Sequence, residues 1–143
     1  MHEDTIGLLG DCTAGIDMAL STLDDLLPRV DNATMRQKIL GSMADHKDLK
    51  EQAVALLHHY GGEERGPSSF AQSMAWMKIN GKMALGRDDA TAADLVSDGC
   101  DSGVRALSRS RNRYAGAETQ AINLAQNLIR CEERLSAGMR PYL

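Results

Sequence analysis

The chain has 143 residues, enough for one domain with a sizeable core, and 43% of them are hydrophobic, 25% charged and 3% aromatic. A net charge of −4 excludes general affinity for nucleic acid, and no uninterrupted apolar run reaches the roughly 18 residues of a membrane span. The opening MHEDTIGLLGD places acidic residues where a signal peptide carries basic ones, so the three cysteines are expected as reduced thiols in a cytoplasmic protein.

The first helix is predicted over Thr5–Leu27, with Leu9, Cys12, Ile16, Ala19, Leu23 and Leu26 on one face. Its carboxylates Asp11, Asp17 and Asp24 fall toward the polar side. Pro28 ends it, because the residue before a proline resists the α conformation. Asp31 and Asn32 can cap the second helix, and Gly61-Gly62 closes it. Its inward line of Met35, Ile39, Ser42, His46, Leu49, Ala53, Leu56 and Tyr60 has the heptad spacing of a helix packed lengthwise on its neighbours. His46 stands at the centre of that line, where an imidazole must find a partner.

The third segment follows Gly66-Pro67-Ser68 and runs to about Leu85. It carries two apolar faces: Phe70, Met74, Met77, Gly81 and Ala84, and nearly opposite them Trp76, Ile79 and Met83. A helix outside a bundle needs only one apolar face, so the second is expected to form a homodimer interface. The fourth helix starts near Asp89 or Thr91 and presents Ala93, Val96, Cys100, Gly103, Leu107, Ser110 and Tyr114. Gly116 breaks the chain, and the fifth helix carries Ala121, Ala125, Leu128, Glu132, Leu135 and Met139 before Pro141. No segment alternates with the period of a strand.

Short connections at residues 28–31 and 115–117 imply two antiparallel hairpins, over 5–60 and 90–140, in a single domain covering residues 1–143. The 61–89 crossover is too long for a turn, and its helix would climb about 25 Å, most of the length of a bundle. The fold is therefore expected to be all-α, an antiparallel four-helix bundle with a helical crossover.

The runs HHYGGEERGPSSFAQSMAWMKINGKM and DLVSDGCDSGVRALSR resemble an uncharacterised bacterial four-helix-bundle family of the ferritin-like superfamily. The matching residues are the Gly61-Gly62 turn, Ser68, Trp76, Gly99 and Asp101. The resemblance implies the ferritin-like fold, and no activity comes with it. The di-iron centres of ferritin-like enzymes need a Glu from each of two helices and a Glu-x-x-His from each of the others. Here Met43 stands three residues before His46, and no Glu-x-x-His occurs in the chain. The pattern does not support a ferroxidase.

Helix register suggests a different centre. Cys100 and Cys131 are equally far from the Ala115-Gly116 turn and so stand at one height. His46, measured from Tyr60, falls within about 2 Å of that height at the α-helical rise. Glu132 belongs to the same turn, and a layer of His46, Cys100, Cys131 and Glu132 has the donors for zinc or copper. The plainer alternative is a core histidine paired with Glu132 beside two buried thiols that act as small hydrophobes. Arg105, Arg109, Arg111 and Arg113 complement the end of the fourth helix, and His58, His59, Glu63 and Glu64 read as a solvated helix end. No nucleophile–base motif, phosphate-cradling loop or dinucleotide fingerprint is present. The leading reading is a non-catalytic binding or interaction bundle, with a metal-binding protein as the alternative.

Overall fold

Caps and breakers lay out the helices where the sequence places them. The computed structural model describes residues 2–64 and 88–143, and within these the chain forms α1 (His2–Leu26), α2 (Ala33–His59), α3 (Asp89–Arg113) and α4 (Thr119–Met139). Among the described residues there is no strand. The predicted third segment and its Trp76, Ile79 and Met83 face lie outside the described residues.

Pro28 sits in a 3-10 turn, Leu27–Arg29, that ends α1. The Asn32 side chain accepts the Met35 N–H at 2.9 Å and starts α2, satisfying a donor that the first helical turn leaves free. Gly61 takes φ +80°, the left-handed conformation that closes a helix at least cost to glycine. Asp88 caps α3 through Thr91 N–H at 2.7 Å. The first helix begins at His2, earlier than its predicted start at Thr5.

Hydrogen bonds at both ends fix the topology. The Asp89 carboxylate accepts Asp31 N–H at 2.8 Å and Asn32 N–H at 3.0 Å, joining the start of α3 to the α1–α2 turn. At the other end Asp4 accepts Gly116 N–H and Thr5 Oγ1 accepts Glu118 N–H, joining the α3–α4 turn to the start of α1. Gly62, after α2, packs on Ile6 of α1. The end of α2 and the start of α3 therefore stand at opposite ends of the bundle, as a long crossover requires.

Every residue of the inward faces predicted for α1 and α4 is buried. The stripe of α2 is buried from Met35 to Ala53, but its last turn inserts Leu57 while Leu56 and Tyr60 are only partly covered. An α-helix drifts about 20° per heptad against a strict seven-residue repeat, so a straight helix of 27 residues carries its inward face on by one position.

Helix α1 departs from the amphipathic reading more strongly. Residues 7–16 are all buried, Asp11 among them at 8% exposure, so this stretch has no polar side. Asp11 accepts a hydrogen bond from Ser110 Oγ at 2.8 Å, while Asp17 pairs with Lys50 and Asp24 is exposed as expected. The stretch His2–Arg29 has the length and mean hydropathy, 1.2 over its best window, of a membrane span, yet 72% of that window is buried inside the bundle. Such a helix is apolar because it is enclosed.

Two apolar clusters fill the interior. One gathers Leu23, Val30, Met35, Ile39, Val96 and Cys100 toward the α1–α2 turn, and the other gathers Leu9, Leu57, Leu107, Ala121, Leu128 and Cys131 toward the opposite end. Ser42, His46 and Glu132 are buried between them as a polar layer.

Candidate functional site

Helix α2 brings Ser42 and His46 to the layer one turn apart, and α4 brings Cys131 and Glu132 across from them. His46 is fully buried and Glu132 is 3% exposed. His46 Nε2 and Glu132 Oε1 are 2.5 Å apart, and His46 Nδ1 lies 2.7 Å from the Ser42 backbone carbonyl. A carbonyl can only accept, so Nδ1 carries hydrogen and donates to it. The other ring nitrogen and the carboxylate then meet over one proton, as imidazolium with carboxylate or as imidazole with carboxylic acid.

Burial opposes a charge on His46, but the hydrogen bonds from Cys131 and Glu132 and the negative charge of Glu132 outweigh it and raise the imidazole to about 10.

Cys131 Sγ stands 3.5 Å from His46 Nδ1 and 4.0 Å from Ser42 Oγ. Cys100, on α3, lies against the Glu132 carboxylate, and burial followed by that charge pushes its thiol up. Of the four residues picked out by register, His46 touches Glu132 and Cys131, and Cys100 interacts with Glu132, but they do not converge on one point. Cys131 faces the Nδ1 edge of the ring, while Glu132 faces the Nε2 edge with Cys100 beside it. Among the described residues no group of three or more His, Cys, Asp or Glu is arranged as a metal site as it stands. Glu132 Oε2 is buried without a hydrogen-bond partner.

Outside the layer, Cys12 is pushed up to about 12 by burial and then by the charge of Asp11. The three cysteines are free. Arg111 bonds Gln126 and Arg113 stacks on Tyr114, so these two members of the basic cluster are engaged within the bundle. His59 packs edge-on to Tyr60 at the end of α2. A groove between α2 and α4, about 260 Å³, is lined by Lys38, Ser42, Asp45, Cys131 and Arg134.

Sequence reasoning missed the buried Asp11–Ser110 contact. Ser110 was on the predicted inward face of its helix, but nothing in the spacing of α1 marked Asp11 as enclosed.

Among solved structures, the bacterioferritin-related protein from Bacteroides fragilis, described as a dodecameric thioferritin, superposes with a TM-score of 0.70. The alignment covers 99% of this chain and 85% of that one at 12% sequence identity. No protein-family model and no curated protein matches the sequence. The fold is ferritin-like and all-α.

Proposed function

We propose that this ferritin-like helical bundle is a non-catalytic binding and interaction module that works as a homo-oligomer, without di-iron ferroxidase chemistry. The observation that carries the reading is the donor set of the buried layer. It offers one carboxylate and one imidazole, already closed on each other at 2.5 Å. A di-iron centre needs four carboxylates and two imidazoles in the same space. Residues 65–87 contain no Asp, Glu, His or Cys and so have no such donors to add. Assembly is supported by the dodecameric state named for the bacterioferritin-related neighbour and by the sequence expectation of an apolar grouping of Trp76, Ile79 and Met83. Sedimentation of the purified chain should give a multiple of its 15.5 kDa, and Trp76→Glu should move it toward the monomer. A monomeric wild type, or saturable oxidation of ferrous iron at two ions per chain, overturns the reading.

A second reading is favoured by one feature of the layer: an unpartnered carboxylate oxygen, Glu132 Oε2, beside a proton-bridged imidazole. In this reading the layer binds zinc or copper. Elemental analysis of untagged protein prepared without chelator tests it, with stoichiometric metal expected and metal-free protein that also refuses added ion overturning it.

A further inference from the structure

We propose that the exposed face of α3 docks on the same face of a second copy of this chain. The two helices run antiparallel about a twofold axis at the level of Gly103, and the acidic half of each meets the basic half of the other. This rests on the homo-oligomer reading and names one of its contacts.

Charge is segregated along α3. Asp88, Asp89, Asp94, Asp98 and Asp101 come first, and Arg105, Arg109, Arg111 and Arg113 follow with no acid among them. In α2 and α4 acids and bases are intermixed, and α1 carries acids with neither Lys nor Arg. The helix dipole favours acids at the start and bases at the end, but its effect falls off within the first and last turns. It accounts for Asp89, Arg111 and Arg113. Asp94, Asp98, Asp101, Arg105 and Arg109 lie further in and need another reason.

These five residues are all exposed, and at about 100° per residue they fall within an arc of about 80°. They form one outward stripe in which like charges are neighbours. Asp94 and Asp98 stand in i,i+4 relation, as do Arg105 and Arg109, and Asp98 and Asp101 are i,i+3. Such pairs repel and destabilise a helix that stands alone. Among the described residues no ion pair engages Asp94, Asp101, Arg105 or Arg109. A stripe with an acidic block followed by a basic block is complementary to its own reverse.

Symmetry then sets the register. A twofold axis across α3 at Gly103 places residues equally far from it on opposite sides against each other. Asp101 faces Arg105 of the second copy. Asp98 comes within one residue of Arg109, an offset of about 1.5 Å along the helix, and Asp94 faces Asn112 beside Arg113. The contact is isologous, so each pairing occurs twice. Ser102 and Val104 flank the axis, and both are small and half-buried, which lets the two helices approach closely. A parallel pairing would set acid on acid and base on base, so the charges specify the antiparallel one.

Charge exchange tests this on the full-length chain, by sedimentation at low ionic strength with circular dichroism checking the fold. One variant combines Asp98→Arg with Asp101→Arg and makes the stripe basic. The other combines Arg105→Glu with Arg109→Glu and makes it acidic. Alone, each should need at least about tenfold more protein than the wild type to assemble, because like charges across a contact repel. Mixed in equal amounts, the two should assemble as the wild type does, since every basic block again meets an acidic one. If a double variant does not fold, the single exchanges Asp101→Arg and Arg105→Glu, which face each other across the axis, should show the same loss and the same rescue on mixing. Variants that assemble as readily as the wild type, or a mixture no better than its parts, overturn this docking surface and leave oligomerisation through another face standing. A wild type that stays monomeric overturns both.

Discussion

Removing Glu132 while keeping His46 strands a fully buried imidazole, and the size of the resulting loss is the sharpest test of the layer. Glu132→Ala leaves Nε2 facing a cavity in the core, because His46 is 0% and Glu132 3% exposed. Breaking a buried pair by deleting one partner costs about 3–5 kcal/mol. A domain of this size has a total stability of about 5–15 kcal/mol, so the variant should lose about a fifth of it or more. The melting temperature should drop by on the order of 10 °C. Glu132→Gln keeps the volume, and its amide can donate to neutral Nε2 while Nδ1 stays on the Ser42 carbonyl. That exchange should cost only about 1–2 kcal/mol. Urea unfolding at pH 7, followed by circular dichroism on metal-free protein, measures both. A Glu132→Ala variant within about 1 kcal/mol of wild type, or a Glu132→Gln variant as damaged as Glu132→Ala, refutes the charged, closed pair.

Because the folded His46 is raised from 6.5 to about 10, its contribution to stability is complete below pH 6.5 and disappears as the pH rises through about 10. Urea midpoints of metal-free wild type should fall across that window, and Glu132→Gln should flatten the slope. Asp89→Ala should cost about 1–2 kcal/mol in the same unfolding assay, since the carboxylate joins α3 to two backbone donors of the α1–α2 turn; Asp89→Glu should recover part of it. Cys12, buried and pushed up to about 12, should resist a thiol reagent at pH 8 in the native protein and react at once in denaturant. Rapid native labelling of Cys12 would contradict its enclosure in α1.

The sequence by itself determined the helices and most of what they bury. Pro28, Asn32, Gly61 and Gly116 act through local backbone preferences, which need no tertiary context, and the structure uses each of them as a cap, break or turn. The apolar stripes of α1 and α4 were equally legible, because helical spacing alone decides which side chains share a face. Counting from the Ala115-Gly116 turn for Cys100 and Cys131, and from Tyr60 for His46, gave the three similar expected heights, since every α-helical residue rises by the same amount. Tertiary structure decided the rest. The slip from Leu56 to Leu57 comes from cumulative drift of a straight helix against a heptad. Asp11 is buried because α1 is enclosed on every side over residues 7–16, and spacing along one helix carries no information about how many neighbours surround it. The same holds for the imidazole: register grouped four donors by expected height, but only packing set Cys131 against Nδ1 and Glu132 against Nε2. Height along a bundle is a one-dimensional quantity that counting residues supplies. The direction in which a ring turns its two nitrogens depends on helix rotation and on the Ser42 carbonyl, which exist only once the four helices have packed.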